Sequence, residues 1–84
     1  DVPVIVDFYA NWCGPCRMLA PVLEKVALAY DGQVKIVKVN VDDEAELASQ
    51  FSVSSIPTLA FIVSGEVVGQ ASGVASERDL SGVI

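Results

Sequence analysis

The strongest constraint on the fold is the change of pattern across the first sixteen residues. Val2 to Tyr9 is a β-branched run that ends in aromatics and contains one acid, Asp7. Such a run reads as a strand buried on both faces. Turn residues follow at once, from Asn11 to Cys16. Beyond them, Leu19, Val22, Leu23, Val26 and Tyr30 fall at helical spacing from about Pro15 to Tyr30. A buried strand that leads straight into an amphipathic helix belongs in a layered α/β structure.

The rest of the chain extends this pattern. Asp31-Gly32 stops the first helix, and Pro21 inside it should kink it. Val34 to Val41 alternates as a second strand. Asp43 and Glu46 are spaced as an N-cap and its partner, predicting a short helix to about Phe51. Ser52 to Ile56 reads as a loop ended by Pro57. Thr58 to Val63 and Glu66 to Ala71 read as two strands joined through Ser64-Gly65. Ser76 can cap a last helix with Leu80, Val83 and Ile84 on one face. The order β-α-β-α-β-β-α predicts an α/β domain over residues 1–84. Its first two strands are parallel, its hairpin is antiparallel, and helices cover both faces.

Composition narrows the function. The 84 residues are 52% hydrophobic, suited to one small apolar core. The five basic residues are scattered in a chain of net charge −6, which argues against nucleic acid and against anionic membranes as partners. No apolar run approaches the roughly 20 residues of a membrane helix, and the first residues do not read as a secretory signal. There is no His, which excludes His-based metal sites and Ser-His or Cys-His catalysis. Two cysteines alone cannot complete a four-ligand zinc site, so no metal is expected.

Those two cysteines lie in Trp12-Cys13-Gly14-Pro15-Cys16, at the junction of strand and helix. A bridge between them closes almost no loop and adds little stability, so a redox role is favoured over a structural one. The unpaired N–H groups and dipole of the helix start favour a Cys13 thiolate. Pro15 suits the first turn, where its missing N–H costs nothing. Gly14 leaves room for another backbone to approach. Cys16, one turn inward, should be shielded from solvent yet reach the Cys13 sulfur.

Val6-Asp7-Phe8-Tyr9-Ala10-Asn11-Trp12-Cys13-Gly14-Pro15-Cys16 resembles the active-site segment of thioredoxins. Val39-Asn40-Val41-Asp42, Ile56-Pro57-Thr58-Leu59 and Ser64-Gly65-Glu66 resemble later family segments, in the expected order. The resemblance implies a thioredoxin fold with a mixed four-stranded sheet. It implies a protein disulfide reductase with no bound cofactor, a redox-active Cys13–Cys16 disulfide, and recycling by an external thioredoxin reductase in the cytoplasm or another reducing compartment. Cys13 would attack a substrate disulfide and Cys16 would resolve the mixed disulfide. Asp7 would assist deprotonation of Cys16, and Lys38 would neighbour Asp7. A cis Ile56–Pro57 bond would face the dithiol. Trp12, Gly14, Pro15, Ile56, Pro57 and Gly73 would form the substrate-binding rim.

Plainer readings stand beside these. Asp7 could be a strand-end acid that reaches solvent, Lys38 an ordinary exposed lysine and Trp12 a core aromatic. Pro57 could be a trans proline that starts an edge strand, and Gly73 a simple turn. The competing functions are an oxidase or isomerase, or a binding or structural module that docks through the apolar rim, its redox activity incidental. Tyr9 departs from the Trp common in the family, and Asn11 from a common acid. The family pattern also has another strand and helix before the segment seen here. Without them, the Val34–Val41 edge would invite self-association.

Overall fold

The computed structural model describes residues 2–73. They form β1 (Val4–Tyr9), α1 (Gly14–Ala29), β2 (Lys35–Asn40), α2 (Ala45–Gln50), β3 (Thr58–Val63) and β4 (Glu66–Ser72). The strands make one sheet in the order β2-β1-β3-β4. β1 runs parallel to β2 and antiparallel to β3, and β3 runs antiparallel to β4. The expected last helix, with Ser76, Leu80, Val83 and Ile84, lies outside the described residues.

Strand alternation sorts the core into two layers. Ile5 of β1 and Leu59 of β3 point to one face, where Leu19, Leu23 and Val26 of α1 cover them. Val6 and Phe8 point to the other face, together with Val39, Ala60 and Ala48 of α2. Phe8 and Leu59 are fully buried. The Phe8 ring packs on Phe51 with centroids 5.2 Å apart, within the range of a favourable aromatic pair. α1 and α2 thus lie on opposite faces of the sheet, as the sequence predicts.

The element ends depart slightly from expectation, for local reasons. β1 starts at Val4 because Pro3 has no N–H for the ladder, although its carbonyl accepts from the Lys35 N–H at 3.0 Å. α1 is continuous across Pro21 for 16 residues. α2 is not capped by Asp43. Its N-cap position is Glu44, which makes no side-chain cap. The preceding turn is organised by Asn40 instead. Its side chain accepts from the Asp42 N–H at 2.9 Å, and its carbonyl accepts from the N–H groups of Asp43 and Glu44. The hairpin turns through Ser64 and Gly65, both at positive φ, the backbone of a type I′ two-residue turn.

Phe8 belongs to both the central strand and the α2-side core. Phe8→Ala should cost about 3–5 kcal/mol of folding free energy. A urea titration should show this as a lower midpoint with an unchanged slope.

Candidate active site: the dithiol at the start of α1

β1 ends next to the turn that starts α1. The Ala10 carbonyl accepts from the Cys13 N–H at 3.2 Å, and Cys13 becomes the N-cap of the helix. Its backbone is extended there, and its sulfur accepts from the Cys16 N–H at 3.2 Å. A sulfur therefore takes the place that a Ser or Asp oxygen usually holds at a helix start. The donor satisfied in this way also favours negative charge on Cys13. Cys13 and Cys16 are joined by a disulfide, with Cα atoms 5.3 Å apart.

Cys16 is shielded as expected, and Cys13 is buried as well. Cys13 is 4% exposed and Cys16 is 6% exposed. Both sit with Ala10 in a small cluster against which Tyr9, Val41 and Ile56 pack, the last two distant in sequence. What distinguishes the cysteines is their surroundings. Cys16, and not Cys13, lines a cavity of about 220 Å³ shared with Asp7, Lys38, Tyr9 and Arg17.

Asp7 lies deep in the sheet at 2% exposure, which rules out the solvent-reaching alternative. Its Oδ1 has no hydrogen-bond partner among the described residues. Burial pushes its carboxyl above the ordinary value, and the charge of Lys38 opposes that rise. Lys38 stands directly across the parallel ladder from Asp7. Its side chain is exposed, and its ammonium lies 4.7 Å from the centre of the Tyr9 ring.

The rim residues come from three separate segments. Trp12 is 68% exposed and so is not a core aromatic. Its Nε1–H donates to Asp42 Oδ2 at 2.9 Å. Trp12, Val41 and Ile56 line a second cavity of about 320 Å³. The Ile56–Pro57 bond is cis, as the resemblance implies, and Pro57 is buried. Gly73, at φ +90°, donates its N–H to the Pro57 carbonyl at 2.9 Å. Gly14 and the exposed Pro15 form the first turn of α1. A Cβ built on Gly14 would meet nothing within 4 Å among the described residues. The room there faces outward. Two participants escaped the reading of the sequence. Asp42 was visible only as part of a family segment, and Tyr9 only as a departure from one.

A buried cysteine pair at a helix start, beside a carboxyl whose Oδ1 has no partner among the described residues, is the arrangement of a thiol–disulfide oxidoreductase. The thioredoxin family model matches residues 1–84. The chain is 49% identical over 84 residues to a thioredoxin of Haemophilus influenzae, covering 100% of this chain and 78% of that protein. It is 49% identical over 81 residues to thioredoxin 1 of Nostoc sp., covering 96% of this chain and 76% of that one. It is 50% identical over 80 residues to a thioredoxin of Alicyclobacillus acidocaldarius, covering 95% and 76%. A solved structure described as that of a malarial protein matches with TM-score 0.93 at 26% identity, covering 99% of this chain and 93% of that chain. The chain belongs to the thioredoxin family, and it is an oxidoreductase that acts on protein disulfides. Among the described residues, no helix is long and apolar enough to cross a membrane.

The Asp7 environment fixes the sign of a pH effect. In the unfolded chain Asp7 ionises in the ordinary carboxylate range, whereas in the folded chain it holds its proton to higher pH. Between those two values the folded state binds more protons, so the Asp7 contribution makes stability fall as pH rises. Asp7→Ala should raise the unfolding free energy at pH 7 by about 1–3 kcal/mol. The gain should shrink as pH falls to the ordinary carboxylate range, as read by urea unfolding of both proteins across pH.

Proposed function

We propose that Cys13 is the attacking thiolate, Cys16 the resolving thiol and Asp7 the acceptor of the resolving proton. The observation that carries this assignment is the cavity where the unpartnered Asp7 carboxyl, Cys16 and Lys38 meet. Its volume has room for water, at roughly 30 Å³ per molecule, so a proton could pass from Cys16 to Asp7 through a relay.

The exchange proceeds in two displacements. The Cys13 thiolate attacks one sulfur of a substrate disulfide. A Cys13–substrate bond forms, the substrate S–S bond breaks, and the leaving thiolate takes a proton from water. Cys16 then gives its proton toward Asp7, and its thiolate attacks the Cys13 sulfur. The Cys13–substrate bond breaks, the second substrate thiolate leaves, and the Cys13–Cys16 disulfide forms. The substrate gains two electrons and the domain loses two. An external thioredoxin reductase would return them, in a reducing compartment such as the cytoplasm.

Trp12, Gly14, Pro15, Ile56, Pro57 and Gly73 would receive the substrate segment around Cys13. The Ile56 backbone groups take part in no backbone hydrogen bond among the described residues, which suits them to pair with an extended chain. The room outward of Gly14 suits a close backbone approach. β2 forms one edge of the described sheet, and we propose that this edge can pair with a second copy. Sedimentation velocity should then show a concentration-dependent dimer. A monomer throughout the series would remove this proposal.

The chemistry is tested by insulin reduction with dithiothreitol and by stopped-flow with a disulfide substrate. Cys13→Ser should abolish the acceleration. Cys16→Ser should accumulate the mixed disulfide. Asp7→Asn should leave the first displacement intact and slow the second by about 10²-fold, the lower end for a positioned proton acceptor. Equal slowing of both displacements would contradict the assignment of Asp7.

A further inference from the structure

Tyr9 stands two residues beyond Asp7 on β1, so both side chains leave the same face of the strand. Lys38 faces Asp7 across the ladder, and its ammonium lies 4.7 Å from the centre of the Tyr9 ring. Asp7, Tyr9, Lys38 and Cys16 line the same cavity.

A lysine ammonium on a four-carbon stem is a mobile point charge, and several groups compete for this one. Glu24 of α1 shares a second cavity with Lys38. Asp43 and Glu44, in the turn before α2, share a third with Lys38, and Tyr9 lines that one as well. Arg17 of α1 also lines the Asp7 cavity, but its guanidinium donates to the Asn11 carbonyl at 3.3 Å. Coulomb attraction weakens with distance, so the hold of Lys38 on Asp7 depends on where the ammonium rests. An aromatic face attracts a cation through its quadrupole and needs no hydroxyl to do so.

We propose that Tyr9 is a positioning residue for the resolving step. Its ring face holds the Lys38 ammonium at the Asp7–Cys16 cavity, away from Glu24, and so sets the pH at which Asp7 accepts the Cys16 proton. This inference rests on the assignment of Asp7 as that acceptor. It gives a chemical reason for an aromatic at position 9 and makes the ring, not the phenol, the part that acts.

The test follows the Asp7 carboxyl carbon by NMR through a pH titration of the oxidised protein, in which neither cysteine titrates. Wild type is compared with Tyr9→Phe, Tyr9→Leu, Lys38→Met and the Tyr9→Leu/Lys38→Met pair. The pH dependence of mixed-disulfide resolution is measured on the same set and on Asp7→Asn. Lys38→Met should raise the Asp7 midpoint. Tyr9→Leu should raise it by a smaller amount, Tyr9→Phe should leave it in place, and Tyr9→Leu should add nothing once Lys38 is gone. The resolution profile should move to higher pH in step. A Tyr9→Leu protein whose midpoint stays put while Lys38→Met moves overturns the role of Tyr9. So does an equal Tyr9→Leu shift in the Lys38→Met background. If Asp7→Asn leaves the resolution profile unchanged, the acceptor assignment falls and the inference with it. In the wild-type protein, ring-current shielding should move the Lys38 ε-methylene protons upfield. Ordinary lysine positions for them overturn the contact whether or not any variant folds.

Discussion

The structure depends on a central strand that is buried on both faces and still contains a carboxyl group. β1 is hydrogen-bonded on both sides, to β2 and to β3. Its apolar residues serve the α1 layer and the α2 layer in alternation. The same alternation places Asp7 on the α1 face, under the first turns of the helix that carries Cys16. A slip of one residue would put Phe8 there and send the carboxyl to the opposite layer. Fold and chemistry are therefore tied to one register. Asp7 bears the free-energy cost of a carboxyl buried in the middle of that strand, its Oδ1 without a partner among the described residues.

The loops complete what the strand begins. Residues 11–16, the turn around Asn40 to Asp42, and the segment Ile56–Pro57 meet beside the dithiol although they are far apart in sequence. The Trp12–Asp42 hydrogen bond joins the first two, and packing of Ile56 against the cysteine cluster brings in the third. Gly73 is tied to the third through the Pro57 carbonyl. The scaffold is made of regular elements, and the specificity of the surface comes from short irregular segments that those elements position.

Much of this was legible in the sequence because periodicity is a local signal. The buried run of β1, the helical spacing of α1 and the Ser64-Gly65 turn each announce themselves within a few residues. The start of α2 departs from the Asp43/Glu46 spacing because Asn40 sets the turn before it, accepting with side chain and carbonyl from the N–H groups of Asp42, Asp43 and Glu44. The burial of Cys13 beside Cys16 was not legible either, since Val41 and Ile56, distant in sequence, pack against the cysteine cluster. The room at Gly14 was legible as space, and among the described residues nothing fills it. Asp7 was readable as an anomaly, an acid inside an apolar run. The placement of the Lys38 ammonium on Tyr9 was not, because it depends on a strand register that only the folded sheet supplies.

The sulfur that caps α1 is also the atom that exchanges covalent partners, so each catalytic cycle rewrites a helix cap. Folding and oxidation are then two edges of one thermodynamic square. A substitution that stabilises the folded disulfide form more than the folded dithiol form makes the domain a stronger reductant by the same free energy, whatever its distance from the sulfurs. Reducing power is in this sense a property of the whole packed domain, and a potential measured on a set of core variants would be a map of which contacts sense the redox state.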